Sequence, residues 1–177
     1  VAAIDDEDAM RILRLFNEPE GKAALRNAGV ATGVVEQLPL LGISSIANML
    51  AAIKTARYFE MSSEDVIFTV FTDSADMYRS RLGELTAERG AYSSPQAERD
   101  LAGPLHHQRI DHFKELGYYD RKAIHNLKYY TWVEQQGKTS DELNAQWDPA
   151  YWRELFEEEP ARVDALINGL NREIGLS

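Results

Sequence analysis

The sequence contains no cysteine, and this one absence removes several kinds of chemistry. Disulfide bonds, zinc–thiolate centres and thiol nucleophiles all require that side chain. A chain without cysteine is also compatible with a reducing compartment. We therefore expect a cytoplasmic protein whose stability comes from packing rather than from covalent cross-links.

Basic residues are scarce beside acidic ones. There are 19 Lys and Arg residues against 29 Asp and Glu residues, which gives a formal net charge of -10. Nucleic-acid binding depends on clustered Lys and Arg, so neither DNA nor RNA is an expected partner. The acidic surface is better suited to keeping the protein in solution.

Long apolar runs are missing too. No stretch is long enough to span a bilayer, and the first ten residues, VAAIDDEDAM, lack both the basic and the apolar part of a signal peptide. No membrane partner is expected. Because the chain begins with Val1 and enters a helical pattern almost at once, we expect it to be part of a longer polypeptide.

What the sequence does contain is mostly helical periodicity. Asp5 or Asp6 can cap a first helix, which is followed by a short second helix over 20–27 and a third that begins at Ser44. Beyond residue 75 the pattern predicts further helices over 75–89, 95–116, 119–136, 149–157 and 160–173. The apolar positions that carry the first helix are Ala9, Ile12, Leu13 and Phe16.

One segment departs from this pattern. Residues 66–71, VIFTVF, are β-branched or aromatic and apolar on both faces, which is typical of a buried parallel strand. A single strand cannot form a sheet, so its partners are expected outside this chain. The sequence therefore predicts an α/β fold in two parts. Residues 1–83 would be the C-terminal part of a larger domain with one buried strand, and residues 84–177 would be a helical extension.

The order of motifs resembles a known family. Gly42-Ile43-Ser44-Ser45 leads into an Ala-rich helix, and the apolar run then leads into Thr72-Asp73-Ser74 with Tyr78 four residues later. In this order the chain resembles the cysteine synthase and cystathionine β-synthase family. These are fold-type II, tryptophan synthase β-like enzymes that use pyridoxal 5'-phosphate (PLP). The stretch 119–138 also looks like the tail of a β-subunit-like branch of PLP-dependent proteins.

The resemblance implies a set of cofactor-binding residues. In that family the Ser of the Gly-x-Ser turn donates a hydrogen bond to the pyridine nitrogen of PLP, and Ser44 occupies the matching position. The implied cofactor-binding residues are Gly42, Ser44, Thr72, Asp73 and Ser74. The chain departs from the family pattern at Ile46, where a second Gly is usual, and at Thr72, where Pro is common.

Simpler roles compete for the same residues. Ser44 stands at a predicted helix start, where Ser is a common N-cap. Asp73 or Ser74 can likewise cap the helix that follows the apolar run, and Tyr78 is better explained as a packing residue. Both interpretations stay open at the level of sequence.

The chain alone is not expected to be catalytic. A PLP enzyme needs a lysine for the Schiff base and a glycine-rich loop for the phosphate, and no glycine-rich run occurs here. Lys54 is the most tempting lysine, but the period of its helix places it opposite Ile46, Leu50 and Ile53, on a solvated face. An N-terminal portion of the same enzyme, on the same or a separate chain, would supply both elements.

Two further clusters carry weaker signals. His107 and Asp111 have an i, i+4 spacing that can place two metal ligands on one helix face, but no third ligand follows, so no metal site is predicted. The C-terminal third is dense in Tyr and Trp. Such residues indicate either a helical cap on the body or a subunit interface, as in a homo-oligomer.

The sequence therefore predicts the C-terminal portion of a PLP-dependent lyase or β-replacement enzyme that acts on an amino acid. Two alternatives remain. The chain could be a non-catalytic helical partner subunit, or it could belong to a threonine-synthase-like or ammonia-lyase-like branch of the same fold.

Overall fold

The structure, a computed structural model, describes residues 1–176 and is mainly helical. The chain divides into two compact units, Val1–Glu115 and a second that begins at Leu116. In the first unit, six α-helices are joined by 3-10 turns at Leu38–Leu40 and Ala75–Tyr78 and followed by a π-helical turn at Leu101–His106. Those helices are α1 (Asp6–Asn17), α2 (Pro19–Asn27), α3 (Thr32–Val35), α4 (Ile43–Tyr58), α5 (Arg79–Arg89) and α6 (Ser94–Asp100).

Helix α1 forms the centre of the first unit. Asp5 caps it by accepting a hydrogen bond from the Glu7 N–H at 2.9 Å, and acidic residues fill its first turn, where they complement the helix dipole. The predicted apolar positions are all buried. Helices α2, α4 and α6 pack around α1, and the resulting core includes Ala9, Ile12, Leu13, Leu15, Phe16, Leu25, Val35, Ile46, Leu50, Leu85 and Ala97.

Lys54 corrects one expectation. Its helix, α4, buries Ile46 and Leu50 as predicted, but Lys54 is only 3% exposed rather than solvated. Its Nζ donates to the carbonyl oxygens of Ala3 at 2.6 Å and Asp111 at 3.0 Å. The periodicity assigned Lys54 to a polar face, and that assignment was wrong because residues 3 and 111 cover this side of the helix.

The predicted α/β fold with a buried strand is wrong. No strand is present among residues 1–176, where the only β-type contact is an isolated bridge between Ala2 and Phe113. Residues 66–71 form no regular secondary structure and lie on the surface, with Phe68 96% exposed and Val66 77% exposed. A strand needs neighbouring strands to satisfy its main chain, and within residues 1–176 the chain supplies none.

The second unit is also helical. Its elements are α7 (Tyr118–Asn126), a π-helical turn (Tyr129–Val133), α8 (Ser140–Ala145), α9 (Pro149–Arg153), a second π-helical turn (Glu154–Glu158) and α10 (Glu159–Glu173). Thr139 and Glu142 form a capping box at the start of α8. Most aromatic side chains here are at least partly exposed, including Tyr119 and Phe156, which leaves the interface interpretation open.

Helix boundaries differ from prediction after residue 106. The helix expected over 95–116 ends with the π-helical turn at Leu101–His106, and residues 108–117 follow without a helix. In that segment Ala3 N donates to His112 O at 3.1 Å, and the Val1 ammonium donates to Lys114 O at 2.8 Å. The N-terminal residues therefore hold this segment through main-chain hydrogen bonds. The predicted domain division at 83–84 lies within α5, inside the first unit.

The packing of α2 against α1 depends on Gly21. A Cβ built at this buried glycine would overlap the backbone carbonyl of Leu15, so the two helices would have to separate. We expect Gly21→Ala to lower the free energy of unfolding by about 1–3 kcal/mol, the usual cost of overpacking. Urea denaturation followed by circular dichroism measures the change.

Gly33→Ala is the matched control. Gly33 lies in α3, and a Cβ there would meet nothing within 4 Å, so its unfolding midpoint should stay the same or rise slightly. Equal midpoints for the two variants would contradict the close α1–α2 contact.

Candidate functional site

The five predicted cofactor-binding residues lie at one place in the first unit, where the start of α4 meets the residues that follow the exposed segment. Gly42 N donates to the Asp73 carbonyl oxygen at 2.9 Å. A Cβ on Gly42 would lie 2.6 Å from Asp73 Cγ, so only glycine allows this approach. Gly42 and Asp73, which are far apart in sequence, are therefore joined by a main-chain hydrogen bond.

Asp73 caps α4 across this long sequence separation. Its Oδ2 accepts the Ser44 N–H at 2.9 Å, and its Oδ1 accepts the Ser45 N–H at 2.8 Å. The same two oxygens contact hydroxyl groups, with the Tyr78 hydroxyl at 2.8 Å from Oδ2 and Ser45 Oγ at 2.6 Å from Oδ1. Two oxygens with four polar neighbours leave the carboxylate fully engaged.

This environment keeps Asp73 ionised. Partial burial opposes the charge, but the hydrogen bonds from Ser45, Ser44 and Tyr78 outweigh it and hold the pKa of Asp73 well below its usual range. The hydrogen bond to Asp73 in turn raises the pKa of Tyr78. A negative charge is therefore fixed at the positive end of the α4 dipole.

Ser44 has a different role from the N-cap that the sequence allowed. Gly42 is the N-cap residue, and Ser44 lies inside the first turn with its main chain held by Asp73. Its side chain is exposed and approaches the Tyr78 hydroxyl. The capping hypothesis for Ser44 was wrong, and its hydroxyl faces outward from the helix start.

Ser74 and Thr72 flank Asp73 without sharing its contacts. Ser74 is the N-cap of the 3-10 turn at Ala75–Tyr78, where its Oγ accepts the Asp76 N–H at 3.3 Å. The capping interpretation is therefore confirmed for Ser74. For Asp73 it holds with a different helix, since Asp73 caps α4 rather than the helix that follows it. Thr72 is exposed at the end of the apolar segment.

Sequence reasoning missed Ser45. This residue is fully buried, and its Oγ lies 2.9 Å from the Asp73 carbonyl oxygen while accepting the Asp73 N–H at 3.2 Å. The available signal was its position directly before Ile46, which is also fully buried. Of two adjacent serines, the one next to a core residue was the better candidate for a structural contact.

The exposed segment adjoins this site directly. Within residues 1–176, one hydrogen bond holds residues 66–71, the one that Asn48 Nδ2 donates to Val70 O at 2.8 Å. Asn48 belongs to α4, one turn beyond Ser44. The exposed apolar segment thus ends close to the start of α4.

The residues present fit one part of PLP, its ring nitrogen. The Asp73 carboxylate is saturated and has no free lone pair for a pyridinium, whereas Ser44 offers an exposed hydroxyl that can donate to an unprotonated nitrogen. Among residues 1–176, this place offers neither a lysine for the Schiff base nor a glycine-rich loop for the phosphate. Lys54, the lysine considered above, donates hydrogen bonds to two carbonyl oxygens.

The i, i+4 spacing of His107 and Asp111 is not realised on a helix. His107 ends the π-helical turn and Asp111 lies beyond it, so the two no longer share a helix face. Within residues 1–176, no group of three or more His, Cys, Asp or Glu residues is arranged to hold a metal ion. None of the helices in the same range has the length and apolar character needed to cross a membrane.

Comparison of the chain with models of protein families, with curated proteins and with solved structures found no match.

Replacing Asp73 tests whether this carboxylate organises the site. Asp73→Asn removes the charge at the start of α4 while keeping the side-chain shape, so we expect a loss of about 1–2 kcal/mol of unfolding free energy at pH 7. The folded-state pKa of Asp73 is lowered, so its contribution is complete above about pH 4, the ordinary range of an Asp pKa, and fades as the pH falls further. Urea titrations at pH 7 and pH 3 should therefore show the two proteins converging at the lower pH.

Asp76→Asn is the control, because Asp76 is exposed and forms an i, i+3 pair with Arg79. It should change the free energy of unfolding by less than about 0.5 kcal/mol. If Asp73→Asn unfolded like the wild type at pH 7, the capping role would be refuted.

Proposed function

We propose that this chain is the C-terminal portion of a PLP-dependent enzyme, of the lyase or β-replacement type, that acts on an amino acid. An N-terminal portion, on the same or a separate polypeptide, completes it. This proposal concerns the cofactor and the partner, and it assigns no sheet to the chain itself.

The observation that carries the proposal is the exposed apolar segment 66–71. Phe68 is 96% exposed and Val66 is 77% exposed. Six consecutive apolar or β-branched residues are costly to leave in water. Contact of this segment with the N-terminal portion would bury these side chains.

The junction at Asp73 supports the same proposal. Once the segment is docked, the partner's surface would reach Thr72, close to Ser44 and the start of α4. The docked surface would thus bring a partner-bound group close to Ser44 and exclude water from it.

The residues of this chain would orient the cofactor rather than react. PLP supplies the electron sink for bond cleavage next to the amino-acid α-carbon. The Ser44 hydroxyl would donate a hydrogen bond to the ring nitrogen, which would stay unprotonated because the hydrogen bonds of Asp73 are already used. An unprotonated ring withdraws electrons less strongly, and this favours elimination and β-replacement over transamination. The Schiff-base lysine and the phosphate loop belong to the partner portion.

The proposal extends to the cellular setting. Amino-acid chemistry with PLP fits a cytoplasmic location, which the absence of cysteine also allows. The exposed aromatic residues of the second unit fit a homo-oligomer of the completed enzyme.

Borohydride reduction tests the cofactor directly, since it fixes any PLP imine as a stable phosphopyridoxyl group. The tagged chain is purified under native conditions from cells that make its natural partners, then reduced, denatured and weighed as intact polypeptides. We expect a lysine-linked adduct on a longer form of the chain or on a second polypeptide. A single species with the mass of the chain and no adduct would contradict the proposal.

Phe68→Asp tests the docking segment. Because Phe68 is 96% exposed, the substitution should leave the unfolding of the isolated chain within about 0.5 kcal/mol of wild type. Docking would bury an unpaired carboxylate, so the yield of adduct recovered with the tagged chain should fall at least about tenfold. The reduced and denatured samples are compared by the same mass measurement.

Leu166→Asp is the control. Leu166 is also an exposed apolar residue, at 67%, but it lies in the second unit and outside its aromatic set. Its adduct yield should equal that of the wild type. Equal losses for both variants would assign docking to general apolar exposure and remove the special role of residues 66–71.

The helical character of both units favours a second candidate, a non-catalytic partner subunit. It shares the docking segment but needs no cofactor. The two candidates separate in the same experiment, because a partner subunit would bring down a second polypeptide whose recovery depends on Phe68 and which carries no phosphopyridoxyl group.

A further inference from the structure

A cavity lined by arginines lies in the first unit, away from the residues described above. It encloses about 360 Å³ between α1, the end of α5 and α6. Its lining is almost entirely polar: Glu7, Arg11, Arg14, Arg89, Tyr92, Gln96, Arg99 and Asp100. Tyr92 supplies the only aromatic surface.

The carboxylates around this cavity leave one of its arginines without a partner. Glu7 and Asp100 line the cavity with the four arginines, and two more carboxylates lie just outside the lining, with Asp8 3.4 Å from Arg11 and Glu18 3.8 Å from Arg14. Arg99 is therefore the arginine of the cavity that pairs with no carboxylate among residues 1–176.

Arg14 is buried, and neighbouring groups balance its positive charge only in part. It is 3% exposed, and its only hydrogen bond within residues 1–176 runs from Nη2 to Gly90 O at 2.9 Å. Its Nε is buried with no hydrogen-bond partner, and the nearest carboxylate oxygen, on Glu18, is 3.8 Å away. The Tyr92 ring lies 4.8 Å below the guanidinium group and offsets part of the charge.

The other arginines are arranged around the opening. Arg11 Nε donates to Asp100 Oδ1 at 2.6 Å, and Arg89 binds Glu7 through two hydrogen bonds of 2.6 and 2.9 Å. The Arg99 side chain is exposed and forms no ion pair with any residue of 1–176. The cavity thus combines a buried cation at its wall with an unpaired cation at its rim.

We propose that this cavity binds a phosphate group, as inorganic phosphate or as the phosphate of a small monoester. Arginine guanidinium groups present paired N–H donors that match phosphate oxygens. The guanidinium group of Arg99, which pairs with no carboxylate among residues 1–176, would supply the charge that attracts the phosphate. The polar lining offers little to an apolar ligand, so charge and hydrogen bonds must supply the affinity.

Isothermal titration of the whole chain with inorganic phosphate tests the proposal, with chloride at matched ionic strength as the reference. Saturable binding to one site is expected. Arg99→Gln removes an exposed, unpaired cation that no packing depends on, so the phosphate dissociation constant should rise about tenfold without a change in thermal midpoint. Arg162→Gln, an exposed arginine of the second unit paired with Glu159, should bind as wild type does.

Glu7→Gln gives a readout of opposite sign. It removes an internal counter-ion and frees Arg89, so phosphate should bind about threefold or more tightly. A residue with a merely structural role would not produce tighter binding. Methyl phosphate, titrated in parallel, separates the two sources of the ligand, because equal affinity assigns the site to a monoester and preference for the free ion assigns it to inorganic phosphate.

Three results would overturn the proposal. These are no phosphate binding beyond the chloride reference, equal affinity in Arg99→Gln and wild type, or weaker binding in Glu7→Gln. All titrations use the chain without a partner, so their outcome is independent of the PLP proposal and of the docking of residues 66–71.

Discussion

The carboxylate of Asp73 joins two parts of the first unit that are distant in sequence, the start of α4 and the residues that follow segment 66–71. It caps α4 through the Ser44 and Ser45 N–H groups, although it comes 28 residues after Ser45. Helix α4 carries Ile46 and Leu50 into the core, and the exposed segment ends just before Asp73. Because one group fixes both, the position of the segment relative to the helix start is determined by a few short hydrogen bonds rather than by burial of the segment itself.

The sequence allowed most of the helices to be predicted, but its prediction of a buried strand was wrong. The first helix follows from Asp5 and a regular apolar period, both of which act locally. The resemblance assigned Gly42, Ser44 and Asp73 to the same cofactor, and in the structure these residues are in contact. Residues 66–71 have the composition of a buried strand, yet burial depends on neighbours that no local pattern can supply. The composition of the segment is typical of a buried strand, but only neighbouring strands in the folded protein can bury it as one.

The residues that sequence reasoning missed share a physical cause. Ser45 and Lys54 are polar, and periodicity assigns polar residues to solvent. Each is buried because a main-chain group from a distant segment meets it, Asp73 for Ser45 and Ala3 with Asp111 for Lys54. The arginines of the cavity come from three separate elements and converge only after α1, α5 and α6 have packed. Such groupings are products of tertiary structure, and no spacing along the chain encodes them.

The two buried cations of the first unit differ in how their charge is balanced. The ammonium of Lys54 donates to two carbonyl oxygens and lies 3.5 Å from the Asp111 carboxylate, so its donors are largely used. Arg14, equally buried, has one short hydrogen bond and an unpartnered Nε beside an open cavity. A buried cation whose donors are all used holds neighbouring segments in place. A buried cation with an unused donor can still gain a hydrogen bond from a ligand. Lys54 is therefore a structural cation and Arg14 is one suited to binding, although the sequence pattern assigns both to the surface.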